Sequence, residues 1–231
     1  MAAAVSETTS LEDLRKRIAQ LEAAAFRVPK HIEVVDEPMR RARSAVQAAG
    51  LYSAQWKFVP ETYYSWGLEE RRRVLNNTPS ILQLCKSLLL ENKKYDPQSD
   101  PNPRTNPQFV LVIVQYAATL DTTKLTSSIR KLQKDLKLRL DANAFDWRIA
   151  ATADNDRITG YAHNSVSPFG LLDTSNLLMV LAEAIEGFFW MGGGHEHLKL
   201  GLSKTDFCRA LHPLVADISQ PRLDATAVVE D

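Results

Sequence analysis

The sequence predicts a mixed α+β fold, in which short strands are interleaved with few helices behind a helical N-terminal extension. Three observations predict it. Phe109-Val110-Leu111-Val112-Ile113-Val114 is an unbroken apolar run of strand length, the pattern of a central strand buried on both faces. Thr123 to Leu140 places Leu125, Ile129, Leu132, Leu136 and Leu140 on one side, with Arg130, Lys131, Lys134, Lys137 and Arg139 around the rest, which is a helix pattern. The other apolar segments are short and broken by turn residues, so the chain does not read as a regular βαβ array, and no internal repeat is found.

From the N-terminus, Ser10 is placed to cap a first helix, with Asp13 as its acidic partner. Leu11, Leu14, Ile18, Leu21 and Ala25 follow 3-4-3-4 spacing and lay one apolar stripe along a charged helix. Two heptads are too short for a self-sufficient coiled coil, so the stripe packs either on its own domain or on a partner. Pro29 and Pro38 interrupt the pattern, and Glu37 to Ala49 reads as a second helix bearing Arg40, Arg41 and Arg43. Pro60 to Trp66 is an aromatic cluster. Glu69-Glu70-Arg71-Arg72-Arg73 reads as a solvated helix face.

Ile81 to Leu90 is a buried strand or a pair of short ones, and Lys93 to Pro107, with four prolines, is an exposed loop. After the central strand and the basic helix, Trp147 to Thr152 reads as a short strand. Leu177 to Ile185 and Gly187 to Met191 flank a turn and read as a hairpin, followed by an alternating strand over His197 to Leu202. Ser203 caps a last helix, Lys204 to Leu211, with Asp206 at its third position. Val215 to Ile218 is a final short strand, and Arg222 to Asp231 is a loose tail. The expected division is an extension over 1–60 and the main domain over 61–231.

Composition narrows the function. Lys plus Arg, 28, equals Asp plus Glu, 28, so no global field draws in nucleic acid. Such a partner must meet a local basic surface. The Arg130–Arg139 face and the Arg40, Arg41, Arg43 group are the candidates, and either is otherwise simply solvated. Cys85 and Cys208 lie far apart in apolar stretches, which points to a reducing, cytoplasmic setting. No apolar run approaches the ~18 residues of a membrane span, and Met1 to Val5 lacks the basic and apolar regions of a signal peptide. No membrane partner is expected.

Two stretches of small residues carry the chemistry. Thr159-Gly160-Tyr161-Ala162-His163-Asn164-Ser165-Val166-Ser167-Pro168-Phe169-Gly170 is too rich in Gly, Asn, Ser and Pro for a regular element and too apolar at its end for a plain linker. Gly192-Gly193-Gly194 follows Phe188 to Met191 and reads as a second loop. Small residues expose backbone amides to a ligand, although the first stretch is equally readable as a turn between strands. Ser165 and Ser167 lack a histidine–carboxylate partner at the spacing that activates a nucleophile. His195 and His197 share a strand face and form a rim pair or, with further ligands, a metal site. Lys86, inside an apolar strand, either points outward to solvent or meets a ligand.

These pieces resemble, in order, the YbaK/prolyl-tRNA-synthetase-associated domain, a family of trans-editing aminoacyl-tRNA deacylases. The matching segments are Leu84-Cys85-Lys86-Ser87-Leu88, Phe109 to Val114, Ile158-Thr159-Gly160-Tyr161, Val166-Ser167-Pro168-Phe169-Gly170-Leu171 and Gly192-Gly193-Gly194. They span residues from about 80 to 220, and the first 60 or so lie outside, as in eukaryotic members with an added N-terminal region. The resemblance implies a YbaK-like fold with a barrel-like sheet, and hydrolysis of the ester joining a wrong amino acid to the 3′ end of tRNA. It implies no metal, no cofactor and no nucleophile triad. The catalytic set it implies is Lys86, which orients the tRNA end, with Ser165, Val166 and Ser167 of the loop. The substrate-binding set is Thr159, Gly160, His163, Asn164, Pro168, Phe169, Gly170, Gly192, Gly193 and Gly194. Where the family's loop begins with two glycines, this chain has Asn164 and Ser165; asparagine is the non-glycine residue that best tolerates positive φ. The partner it implies is aminoacyl-tRNA; the apolar stripe of the N-terminal helix adds a synthetase or a second copy of the chain, as a homodimer, as further expected partners. The rival reading is a binding module with this fold and no catalysis.

Overall fold

The computed structural model describes residues 10–29, 35–76 and 78–222. The Met1–Val5 start and all of the Arg222–Asp231 tail except Arg222 lie outside these. The first helix, α1 (Leu11–Phe26), begins at Ser10, whose side chain accepts from the Asp13 backbone amide at 3.1 Å. None of its residues is buried. Leu11, Leu14, Ile18 and Leu21 are 76%, 45%, 56% and 64% exposed, so the stripe faces solvent rather than its own domain. The second helix, α2 (Glu37–Ala48), is capped by Asp36 and buries Met39, Ala42 and Val46.

A short strand, β1 (Gln55–Phe58), and a 3-10 turn over Glu61–Ser65 lead to α3 (Leu68–Val74). This helix is not a solvated face throughout, because Arg71 is fully buried. Its guanidinium replaces water with the carbonyls of Trp66 (3.0 Å) and Tyr64 (2.6 Å) and with the faces of Tyr63, Tyr64 and Tyr116. The apolar run from Ile81 starts as a 3-10 turn and becomes one strand, β2 (Cys85–Asn92). The central strand, β3 (Phe109–Gln115), is buried along its whole length.

After β4 (Ala118–Leu120), the basic helix α4 (Thr122–Arg130) ends ten residues before Leu140. Local side-chain bonds compete with the helix there. Asp135 accepts from the Lys137 amide, Arg139 donates to the Gln133 carbonyl, and Arg130 donates to the Leu140 carbonyl. Leu136 and Leu138 are left exposed. The next strand, β5 (Trp147–Ile149), is shorter than expected, because Thr152 already opens a helix, α5 (Thr152–Thr159). That helix has little periodicity to betray it, since Ile158 and Thr159 are its buried residues.

The remaining elements are β6 (Leu177–Ala182), β7 (Phe188–His195), β8 (Leu198–Ser203), α6 (Lys204–Leu211), β9 (Leu214–Ala216) and β10 (Ser219–Pro221). Ser203 caps α6 by accepting from the Asp206 amide at 3.0 Å. The expected hairpin of β6 and β7 does not form. β6 lies parallel to β3 in a five-stranded sheet of order β5-β2-β3-β6-β9, whereas β7 pairs antiparallel with β8 in the sheet β1-β8-β7. An apolar segment such as β6 can be covered on both faces only inside the larger sheet. β4 and β10 form a third pair. These described strands make open sheets, not a closed barrel, and a bridge between Leu84 and Trp190 links the two larger ones. No described helix is long and apolar enough to cross a membrane.

Candidate functional site

A cavity of about 430 Å³ lies where the two larger sheets meet. Its walls come from β2, including Cys85, Lys86 and Leu88; from β7, at Trp190 to Gly192; and from the aromatic residues Tyr63, Tyr64 and Tyr116. α5 adds Thr152, Asn155 and Asp156, and the small-residue loop adds His163, Asn164 and Val166. Lys86 sits opposite Val114 in the β2–β3 register, and its Nζ lies 5.4 Å from the centre of the Tyr116 ring.

The loop is tied at several points. Gly160 ends α5 in the left-handed region at φ 66°, and Asn164 takes the same kind of conformation at φ 61°. Asparagine pays little for it. The Tyr64 hydroxyl donates to the Asn164 carbonyl at 2.9 Å, and the Gly194 amide donates to the Ser165 carbonyl at 3.1 Å. The two serines turn inward. Ser165 Oγ donates to the His163 carbonyl at 3.3 Å, and Ser167 Oγ accepts from the Phe169 amide at 3.3 Å. Both residues are buried, and neither lines the cavity.

The triple glycine is part of β7, not a loop. A Cβ on Gly192 would lie 2.3 Å from the Val166 carbonyl oxygen, and one on Gly193 would lie 2.9 Å from the Leu198 carbonyl oxygen. The absent side chains let the loop and the neighbouring strand approach β7 closely. Of the residues expected at a site, the structure brings Lys86, His163, Asn164, Val166 and Gly192 around the cavity. Thr159 is buried behind the loop, and Phe169 packs edge-on against Phe207 at 6.1 Å. Pro168 and Gly170 line a second cleft, of about 460 Å³, with Arg104 and His212. Gly193 and Gly194 lie away from the cavity.

Sequence reasoning missed three cavity features. Lys199, in β8, is only 4% exposed. Its ammonium donates to the Tyr64 hydroxyl and, at 2.9 Å, to the Glu196 carbonyl, and it lies 4.4 Å from the centre of the Tyr64 ring. Tyr64 was visible only as one member of an aromatic cluster. Asn155 and Asp156 sit on the helix that went unrecognised. The clue to Lys199 was its place between Leu198 and Leu200, but which face it takes depends on the pairing of β8 with β1 and β7.

Electrostatics separate reactive from inert groups. Burial pushes the Cys85 thiol well above its usual range, so it carries no thiolate at neutral pH. Burial also lowers the pKa of His195, offset in part by Asp36. His195 and His197 lie 5.3 Å apart, and His197 Nε2 meets Glu196 at 3.0 Å. Among the described residues no group of three His, Cys, Asp or Glu side chains is arranged to hold a metal ion. The arginines of α2 are engaged within the protein. Arg40 binds Glu22 through two hydrogen bonds, at 2.7 and 2.8 Å, and Arg43 lies 4.2 Å from the centre of the Phe26 ring.

No protein-family model matches the chain, and no curated protein matches it. Solved structures do. A scaffold protein used for computational epitope backbone grafting shares 17% identity at a TM-score of 0.60, covering 81% of this chain and 100% of that one. A candidate trans-editing enzyme for prolyl tRNA synthetase shares 19% identity at a TM-score of 0.60, covering 80% of this chain and 99% of that one. A hypothetical protein shares 18% identity at a TM-score of 0.55, covering 78% and 99%. At these identities the likeness is one of fold: the chain shares the mixed α+β architecture of the trans-editing structure, and its N-terminal helix is present.

Proposed function

We propose that the protein is a trans-acting deacylase that removes a wrong amino acid from aminoacyl-tRNA. The observation that carries this reading is a single cavity walled by Lys86 on one side and by Asn164 and Val166 of the loop on another, in a fold shared with a candidate trans-editing enzyme. In this reading the Lys86 ammonium holds the phosphate-bearing end of the tRNA, for which a point cation suits. The loop backbone around Val166 holds the aminoacyl group, and backbone donors stabilise the oxyanion that grows on the ester carbonyl. Water attacks the acyl carbon, the bond to the ribose oxygen breaks, the ribose oxygen takes up a proton, and the amino acid leaves as its acid. The inward-turned hydroxyls of Ser165 and Ser167 take no part as nucleophiles.

The experiment is a deacylation panel with alanyl-, cysteinyl-, seryl-, threonyl- and prolyl-tRNA. Release from at least one, lost for the most part in Lys86→Ala, is the expected result. No release from any of them sinks the reading. The exposed stripe of α1 favours a second reading, in which the protein docks on a synthetase or on its own copy and does not turn over. Pull-down of a synthetase that depends on α1, without release of amino acid, would carry that alternative.

A further inference from the structure

We infer that Arg41, on α2, is a positioning residue that shapes the Gly160–Gly170 loop from behind, so that a helix of the N-terminal extension belongs to the site. One guanidinium reaches both ends of the loop. Arg41 Nε donates to the Gly170 carbonyl at 2.6 Å, and Nη2 donates to the Gly160 carbonyl at 2.7 Å and the Thr159 carbonyl at 3.4 Å. Nη1 is held by Glu37 one turn back on the same helix. The guanidinium carbon lies 4.6 Å from the centre of the Tyr161 ring, and the Tyr161 hydroxyl donates to the Phe169 carbonyl at 2.6 Å. Carbonyls ten residues apart in sequence are thereby held by one rigid, planar fork.

The glycines fit this arrangement. Gly160 and Gly170 have φ of 66° and 72°. A Cβ on Gly160 would lie 2.6 Å from Arg41 Nη2, and one on Gly170 would lie 2.9 Å from the Arg41 carbonyl oxygen. On Gly194 it would lie 2.8 Å from the Pro38 carbonyl oxygen. Three glycines that the motif reading assigned to substrate are thus the places where α2 lies against the site. The helix itself is anchored, since Met39, Ala42 and Val46 are buried. The loop segment between the two clamped ends includes His163, Asn164 and Val166, which line the cavity. Releasing the clamp loosens those residues without removing any group that lines it.

The test compares the full chain with Arg41→Ala and Arg41→Lys, and its kinetic arm rests on the deacylase reading. With the folded fraction unchanged by circular dichroism, Arg41→Ala should lower kcat by about tenfold or more and leave KM within about twofold. Arg41→Lys, which keeps the charge but not the fork, should recover only part of the loss. Amide exchange over residues 160–170 should rise in both variants. Wild-type kcat in Arg41→Ala overturns the inference. If the wild-type protein releases no amino acid, the deacylase reading falls, and the exchange arm alone decides: faster exchange confined to the loop sustains the clamp, and unchanged exchange overturns it. Should Arg41→Ala fail to fold, the same comparisons are made with Arg41→Lys.

Discussion

Asn164 shows how one residue can stand in for a glycine. Its φ of 61° is the conformation a glycine would otherwise supply, and its carbonyl is pinned by Tyr64, which is itself gripped by buried Lys199. Tyr64→Phe removes one hydroxyl and keeps the ring. It should cost about 0.5–1.5 kcal/mol of stability in urea denaturation and, if the proposed deacylase reading holds, reduce turnover further than that loss of folded protein explains. Gly192→Ala is the sharper steric test, because the new methyl meets a backbone oxygen at 2.3 Å, not the end of a flexible side chain. We expect a loss of about 1–3 kcal/mol, read as a lower denaturation midpoint. Residues of this kind were half legible. The tolerance of asparagine for positive φ could be read from its side chain, and Lys86 was singled out by its apolar neighbours. Lys199 and Arg71 were not legible as buried cations, because the aromatic rings and carbonyls that replace their water come from distant parts of the chain.

Among the elements, the two N-terminal helices differ in how the body holds them. α1 is joined by the Glu22–Arg40 pair and by Arg43 stacked on Phe26, whereas α2 buries one face. Hydrogen exchange should therefore find α1 amides exchanging through local fraying, and α2 amides protected nearly as well as β3. Equal protection of both helices would contradict this. β7 carries the pH-sensitive group. Burial lowers the His195 pKa, so as pH falls the unfolded chain takes up a proton near pH 6.5 before the folded chain does. The His195 contribution is thus full above about pH 6.5 and declines below it. His195→Asn should flatten the change in urea midpoint between pH 7.5 and 5.5, and an unaltered slope would exclude the assignment. Tyr161, pushed up to about 12 by burial, stays neutral across this range and keeps its hydroxyl bond to the loop.

At the scale of the whole molecule, the cavity lies where the two larger sheets meet, with β2 of one and β7 of the other among its walls. β3 is the central strand of the five-stranded sheet, with Val110, Leu111, Val112 and Ile113 fully buried. Leu111→Ala should cost about 2–5 kcal/mol, as for other fully buried leucines, and, if the proposed deacylase reading holds, should lower stability without changing substrate preference. A change in substrate preference would mean that the core and the cavity wall are coupled more tightly than the layering implies.

The sequence by itself determined the fold class, the central strand, the capped helices α1 and α6, and the ordered set of motifs that resembles an editing domain. Each of these rests on local periodicity, capping chemistry or residue order, which neighbours along the chain already specify. Only the tertiary structure decided that β6 and β7 part into different sheets, that the triple glycine is a strand, that α4 stops at Arg130, and that Arg41 braces the loop. Those outcomes depend on which backbone groups and side chains meet across more than a hundred residues of sequence in the case of Arg41 and Gly170, and no local pattern encodes such a meeting.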